Sequence, residues 1–339
     1  MAKTVKLADI AQKLNVSVVT VSKALSGQKG VSEEMREKIK ALADELGYVQ
    51  PSAARKNRNE KSYNIGVLIE ESYLDRYASF YWQMYQQVAT FAMERGSFTL
   101  LEVVTQVAEY ALEMPKLVTE QKADGLVVIG KLNSRYLNML TKSTQLPIVY
   151  MDFADGQQTV DAIVSDSFYG AYYLTNYLFS MGHKDIAYVG TLLSTGSITD
   201  RYLGYYKSML EHGITPKEEW QIDDRHKENG TIDDVNFLQL PKEMPTAFFC
   251  NCDLAAGKLI NKLQKLGYRV PEDISVVGYD NYIYPGLCNV HITTYEVDFM
   301  AMARRTVKTL LSKLNHESYT PGVHIVEGHI VVKESVKKI

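Results

Sequence analysis

The chain has 339 residues, 46% hydrophobic and 23% charged, the balance of an ordinary globular protein long enough for two or three domains. No apolar run approaches the ~18 residues of a membrane span, and the N-terminus lacks a signal-peptide apolar segment, so no membrane segment and a cytoplasmic location are expected. The formal charge of −3 hides an asymmetry: residues 1–61 hold 12 Lys/Arg against 7 Asp/Glu, a net +5, which leaves −8 for the rest. A basic head on an acidic body suits contact with a polyanion by the head alone.

In chain order, Leu7, Ile10, Ala11 and Leu14 are spaced as one buried face of a helix. Asn15 and Val16 make a short turn, and Ser17 is a good N-cap for a second helix. On that helix Val21, Ala24 and Leu25 point inward, which leaves Val18, Val19, Thr20, Ser22 and Lys23 outward. Two short helices arranged in this way read as a helix-turn-helix, whose second helix lies in a DNA major groove with its N-terminal residues at the base edges.

A third helix is expected from Glu33 to Leu46, capped by Ser32, with Met35, Ile39, Leu42, Ala43 and Leu46 inward. Met35 stands at the capping-box position, so the box is incomplete. Gly47 ends this helix and Tyr48 packs back on it. Residues 51–64 are polar and basic, with Arg55, Lys56, Arg58 and Lys61, and read as a linker.

From Tyr63 the texture alternates. Short β-rich runs at 63–69, 98–104, 125–130 and 146–152 are separated by amphipathic segments near 80–95, 108–122 and 134–142. A second set follows at 162–166, 185–190, 246–250 and 273–278, with helices near 168–181, 201–212 and 253–266. Such alternation predicts an α/β core of two doubly wound parallel-sheet lobes, with ligands beyond the C-terminal ends of the strands. The fold class expected is thus an all-α helix-turn-helix headpiece plus this α/β core.

Three cysteines, Cys250, Cys252 and Cys288, are an odd number in a long chain and give no disulfide framework. Cys250 and Cys252 share a strand face, but two thiols without a nearby histidine make a poor metal site, and buried small residues are the expectation. No Walker loop, GxSxG or HExxH is present, so neither an enzyme, a metal nor a cofactor is expected. His183 reads as a helix-end or packing histidine. Phe80, Tyr81 and Trp82 cannot all face the core of one helix, so one or two of them face solvent or ligand.

Residues 6–55, KLADIAQKLNVSVVTVSKALSGQKGVSEEMREKIKALADELGYVQPSAAR, closely resemble the DNA-binding headpiece of the LacI–GalR repressor family. The resemblance continues in GHKDIAYVG (182–190), DRYLGYYKSML (200–210) and VPEDISVVGYDN (270–281). It implies a sequence-specific DNA-binding transcriptional regulator, a repressor of carbohydrate-utilisation genes. Such a regulator binds a pseudo-palindromic operator as a homodimer, and a small effector between the lobes controls it. A mono- or disaccharide is the expected effector, with a nucleobase or phosphorylated metabolite as the alternative. A solute-binding protein shares the core but not the headpiece. The absence of a leucine heptad tail after residues 329–335 favours a dimer over a tetramer.

The implied domains are 1–49 for the headpiece, 50–62 for the hinge and 63–339 for the core, with lobes 63–162 plus 296–322 and 163–293 plus 323–339. Implied DNA contacts are Thr4, Ser17, Val18, Val19, Thr20, Ser22, Lys23 and Ser32, then Ser52, Ala54, Arg55, Asn57 and Arg58 in the hinge. Asn57 stands where the family pushes a leucine into the minor groove, and an amide supplies no apolar wedge. Weaker or different operator bending follows, with Arg55 or Arg58 reaching the minor groove. Implied effector contacts are Phe80, Tyr81, Asp152, Asp166, Ser194, Ser197, Arg201, Asn251 and Asp280, with Asp200 assisting. Cys252 occupies a usual aspartate position and Asp253 comes one residue later, which changes the local pocket chemistry.

Overall fold

The computed structural model describes residues 7–25, 30–46, 48, 61–74, 80–156, 160–226, 238–282, 284 and 286–339. The chain divides between Ser62 and Tyr63 into two compact units.

In the first unit, α1 (Leu7–Leu14), α2 (Val18–Leu25) and α3 (Glu33–Glu45) follow the expected periodicity. Ile10, Ala11, Val21, Ala24, Ile39 and Ala43 form the core, with Tyr48 packed against it. The turn is made by Asn15 in the left-handed region at φ 51°, a conformation that asparagine tolerates well. Ser17 Oγ then accepts the Thr20 amide at 3.0 Å and caps α2. Arg36 on α3 donates to the Ala24 carbonyl at 3.0 Å, supplying a partner to the end of α2. Thr4, Gly47 and the hinge residues Ser52, Ala54, Arg55, Asn57 and Arg58 lie outside the described residues.

The second unit contains two parallel sheets. The first is built from β1 (Asn64–Glu70), β2 (Phe98–Val104), β3 (Gly125–Ile129), β4 (Ile148–Met151) and β5 (Asp161–Ser165), and takes its edge strand β11 (Val323–Val326) from the far end of the chain. Its strand order is β11-β5-β4-β3-β1-β2. The second sheet comprises β6 (Ile186–Val189), β7 (Gln221–Ile222), β8 (Ala247–Cys250) and β9 (Ser275–Val277), in the order β7-β6-β8-β9. A two-stranded antiparallel ribbon, β10 (Thr294–Glu296) with β12 (His329–Val331), completes the strands. The helices, in chain order, are α4 (Phe80–Glu94), α5 (Gln106–Ala111), α6 (Lys116–Thr119), α7 (Ser134–Ser143), α8 (Ser167–Ser180), α9 (Gly196–Glu211), α10 (Asp253–Lys265) and α11 (Phe299–Leu314).

Strands covered on both faces read as unbroken apolar runs, and Leu126–Ile129 and Val149–Met151 are fully buried. Each such side chain contributes about 1.5–3 kcal/mol through burial. Helices α8 and α9 cross closely at Gly204, where an added Cβ would lie 2.0 Å from the Phe168 carbonyl oxygen.

Three boundaries differ from the sequence reading. Residues 163–166 and 323–326 were expected in the second lobe, but β5 and β11 pair with each other in the first sheet. The cause is Asp161, which accepts from Lys313 Nζ at 2.7 Å, Tyr319 Oη at 3.0 Å and the Gly322 amide at 2.6 Å, tying both strands to the end of α11. The segment near 108–122 is two short helices, broken by Leu112 at φ 56° and by Pro115. Helix α9 starts at Gly196 rather than 201, capped by Thr195 Oγ1 accepting the Ile198 amide at 3.2 Å, so Arg201 sits in its second turn.

Among the described residues, no helix is long and apolar enough to cross a membrane. Among those same residues, no cluster of His, Cys, Asp or Glu is arranged to hold a metal ion.

Candidate functional site

On the first unit, the outer face of α2 presents Val18 and Val19, 45% and 62% exposed. Ser22 and Lys23 are exposed beside them and Thr20 is half-buried. Isolated exposed valines are ordinary, but two side by side at the N-terminus of a helix whose other face is sealed make an exposed apolar edge. Ser17 bonds Thr20 Oγ1 at 2.8 Å as well as its amide. Ser32 is exposed and accepts the Met35 amide at 3.4 Å, so its hydroxyl is partly engaged as a cap.

In the second unit, the C-terminal strand ends of the two sheets bring charged and aromatic groups together. Arg201 is 5% exposed. Its Nη1 donates to the Asn251 carbonyl at 2.5 Å and its Nη2 lies 3.2 Å from Asp280 Oδ1. The guanidinium carbon stands 3.8 Å from the centroid of the Tyr279 ring, a cation–π contact. Burial is the largest single influence and opposes its charge, but Asp280, Tyr279, Asp152 and Tyr188 together outweigh it and hold the guanidinium protonated more firmly than usual. Its Nε is buried with no hydrogen-bond partner among the described residues.

Asn251 follows β8 and acts as a hub. Its amide nitrogen donates to the Val189 carbonyl at 3.0 Å and to Asp224 Oδ2 at 2.7 Å, and its oxygen accepts from Arg225 Nη2 at 3.1 Å. Asp280 follows β9 with a left-handed backbone at φ 103°. Burial pushes its carboxyl up to about 6 against the pull of Arg201.

From the first sheet come Tyr81 and Asp152. Tyr81 stacks on Tyr73 with centroids 4.3 Å apart and hydrogen-bonds Asp152. Asp152 follows β4 at φ 72°, and burial pushes its carboxyl up to about 7. Tyr73, Tyr81, Asp152, Arg225 and Tyr284 all lie deep in the protein, yet each keeps some accessible surface.

The other expected contacts have local roles. Phe80 is buried edge-on against Tyr81, Tyr282 and Phe299, with centroids 5.5, 6.4 and 5.9 Å away, so it is core. Trp82 turns outward, 39% exposed. Asp166 caps α8 by accepting the Tyr169 amide at 3.1 Å. Ser194 Oγ donates to the Thr191 carbonyl at 2.7 Å within its loop, and Ser197 Oγ, in the first turn of α9, pairs with the N-cap Thr195 Oγ1 at 3.0 Å. Asp200 is exposed on α9. Cys252 takes the N-cap of α10, its Sγ accepting the Ala255 amide at 3.5 Å, and burial pushes its thiol up to about 12. Asp253 accepts the Tyr282 amide at 2.8 Å, and burial raises its carboxyl well above the usual carboxylate range.

Four residues of the cluster escape the sequence reading: Tyr73, Asp224, Arg225 and Tyr284. Arg225 is gripped by Asp224, with Nε–Oδ1 at 3.1 Å and Nη2–Oδ2 at 2.8 Å. Asp224 in turn accepts the Thr191 amide at 2.8 Å and, despite burial, stays below the usual carboxylate range because Arg225 is beside it. Among the described residues, the strand that leads to this pair is Gln221–Ile222, two residues long, too short for a β-rich run to register. His183 is buried with both ring nitrogens engaged, Nδ1 3.0 Å from Thr246 Oγ1 and Nε2 3.0 Å from the Lys337 carbonyl.

Comparison with known proteins agrees with this arrangement. Residues 6–51 match the bacterial regulatory proteins of the lacI family, and residues 175–336 match the periplasmic binding protein-like domain. The transcriptional repressor PurR of Aliivibrio salmonicida is 27% identical over 333 residues, 98% of each chain. PurR of Vibrio vulnificus is 28% identical over 332 residues, again 98% of each. Among solved structures, a transcriptional regulator CelR–cellobiose complex has TM-score 0.69 at 22% identity, covering 98% of this chain and 99% of that one. A lac repressor dimer bound to operator and the anti-inducer ONPF has TM-score 0.65 at 22% identity, covering 99% and 100%. The chain therefore belongs to the lacI family of bacterial regulatory proteins: it is a DNA-binding transcriptional repressor and not an enzyme.

Proposed function

We propose that this cytoplasmic repressor binds a pseudo-palindromic operator as a homodimer, and that a small hydroxyl-rich effector held between the two sheets of the core sets its operator affinity. The observation that carries the effector class is Arg201, clamped by Asn251 and Asp280 with its Nε buried and unmatched. The surrounding charges already balance, Arg201 against Asp280 and Arg225 against Asp224, with Asp152 drawn toward neutrality. A neutral ligand offering hydroxyl oxygens to the guanidinium and hydroxyl protons to the carboxylates disturbs that balance least, which favours a mono- or disaccharide. Tyr73, Tyr81 and Tyr284 supply apolar ring faces for such a ligand.

A second reading rests on the Tyr73–Tyr81 stack beside a carboxyl raised to about 7, which can present either an acceptor or a proton near neutrality. Together they suit a planar heterocycle with ring nitrogens, a nucleobase. On either reading, an effector that prefers one lobe arrangement shifts the population competent for operator binding.

Thermal melting against monosaccharides, cellobiose and other disaccharides, sugar phosphates and free nucleobases decides between them. A ligand at ~100 times its dissociation constant stabilises by about 2.7 kcal/mol. A shift from one saccharide class, absent in Arg201→Ala, supports the proposal. A shift from nucleobases or sugar phosphates alone replaces the effector class while leaving the repressor intact.

A further inference from the structure

Asp152 follows the C-terminal end of β4, the end that ligands favour in open α/β sheets. Ile148 begins the same strand, about 13 Å away at ~3.3 Å per residue. At that opposite end the second unit holds a cavity of about 320 Å³, between α7, the start of β4 and the last turn of α11. Its volume is at the lower end of the range for small-ligand pockets. Among the described residues, its lining carries no carboxylate. Leu146, Pro147 and Val160 supply apolar surface, and Asn138, Lys142 and Lys313 supply donors.

Lys313 is fixed in place. Its Nζ donates to the Ile148 carbonyl at 3.1 Å and to Asp161 Oδ2 at 2.7 Å, and its side chain is only 20% exposed. An ammonium has three protons, so one remains beyond those two bonds. Asp161, which also accepts from Tyr319 Oη and the Gly322 amide, offsets the charge of this lysine. Lys142 is exposed and lies four residues after the half-buried Asn138, on the same face of α7. Among the described residues, neither Lys142 Nζ nor the Asn138 carboxamide has a hydrogen-bond or ion-pair partner. The cavity therefore gathers three donors with room for a ligand acceptor and, in Lys142, one charge that no carboxylate offsets.

We propose that this cavity is a second ligand site, separate from the effector cleft, and that it takes a small monocarboxylate. The carboxylate lies against Lys142 and Lys313, and the apolar end of the ligand against Leu146, Pro147 and Val160. A carboxylate accepts charge-assisted hydrogen bonds from both ammoniums and from the Asn138 amide. Its single charge matches that of Lys142, whereas a phosphate ester carries close to two charges and leaves one unmatched. No residue of the cleft takes part, so the proposal stands or falls independently of the effector class.

Saturation-transfer NMR titrations on the full chain test it, with butyrate, pyruvate and benzoate as probes and inorganic phosphate and glucose 6-phosphate as the doubly charged arm. At least one monocarboxylate is expected to bind. Lys142→Gln should weaken it at least about tenfold, the worth of one charge-assisted hydrogen bond. Lys142→Arg keeps the charge and should retain most of the affinity. Lys142 is exposed, so both variants should melt as the wild type does, and a folded Arg201→Ala should bind the probe unchanged. The proposal is overturned if no monocarboxylate binds at millimolar concentration, or if the phosphates bind in their place. Binding that survives Lys142→Gln at full strength, or that disappears in a folded Arg201→Ala, overturns it as well.

Discussion

Arg201 stands over Tyr279, its guanidinium carbon 3.8 Å from the ring centroid, while the same guanidinium holds Asp280 at 3.2 Å. Breaking a buried pair from one side leaves an uncompensated charge and costs about 3–5 kcal/mol. Arg201→Met is expected to destabilise the core by that order at pH 8, where Asp280 is ionised. At pH 6 the loss is smaller, because Asp280, already raised to about 6, takes up a proton once its partner is gone. The folded carboxyl is raised, so its relative stability is present at low pH and lost as pH rises. Arg201→Met with Asp280→Asn restores most of the stability while the effector response stays absent. Urea denaturation at the two pH values checks this, and an equal loss at both contradicts it.

His183 titrates in the opposite sense. Burial lowers its value below 6.5, and its ring is fixed between Thr246 and the Lys337 carbonyl. A base depressed in the folded state stabilises the protein above its unfolded value, and that contribution is lost as pH falls below about 6.5. Asp152 and Asp280 gain stability over the same range, so the wild-type slope is a difference of the two effects. His183→Gln, which keeps polar atoms but does not titrate there, should lose less stability than wild type between pH 7 and pH 5. Parallel stability curves for the two proteins rule the histidine out as the source.

The sequence speaks where burial imposes a period and falls silent where a strand is short or a contact is long-range. The three headpiece helices follow from apolar spacing, because one sealed face repeats every 3.6 residues, and β3 and β4 follow from unbroken apolar runs buried on both faces. The assignment of β5 and β11 to the first sheet does not follow. It depends on Asp161 reaching Tyr319 and Gly322 some 160 residues away. Arg201, Asn251 and Asp280 gather in one cluster at the strand ends, whereas Phe80 is core and Asp166 caps a helix. Helix N-capping and ligand binding use the same residue types at the same strand ends, so sequence alone does not separate Asp166 from Asp152.

Cys252 caps α10 with a sulfur 3.5 Å from the Ala255 amide, and a thiol is a weaker acceptor than a hydroxyl. Cys252→Ser is expected to stabilise the core by roughly 0.5–1 kcal/mol through a better cap. A rise in melting temperature with an unchanged effector response confirms the cap. A fall shows that the lost packing of a nearly sealed sulfur outweighs it.

Lys23 lies on the outer face of α2 near the exposed Val18 and Val19. Valines reach thymine methyls, and a lysine two residues beyond Val21 reaches a guanine edge or a phosphate. We expect the base contact, with Thr20 and Ser22 on phosphates. Lys23→Ala should then cost about 1–3 kcal/mol at one operator position and leave discrimination elsewhere unchanged. Affinities for a set of single-base operator variants, measured at several salt concentrations, separate the two roles. A uniform loss over all variants, with the salt slope reduced by about one, makes Lys23 a phosphate contact instead. In that case base reading falls to the two valines, and Val19→Ala should relax preference at a thymine position by a smaller amount.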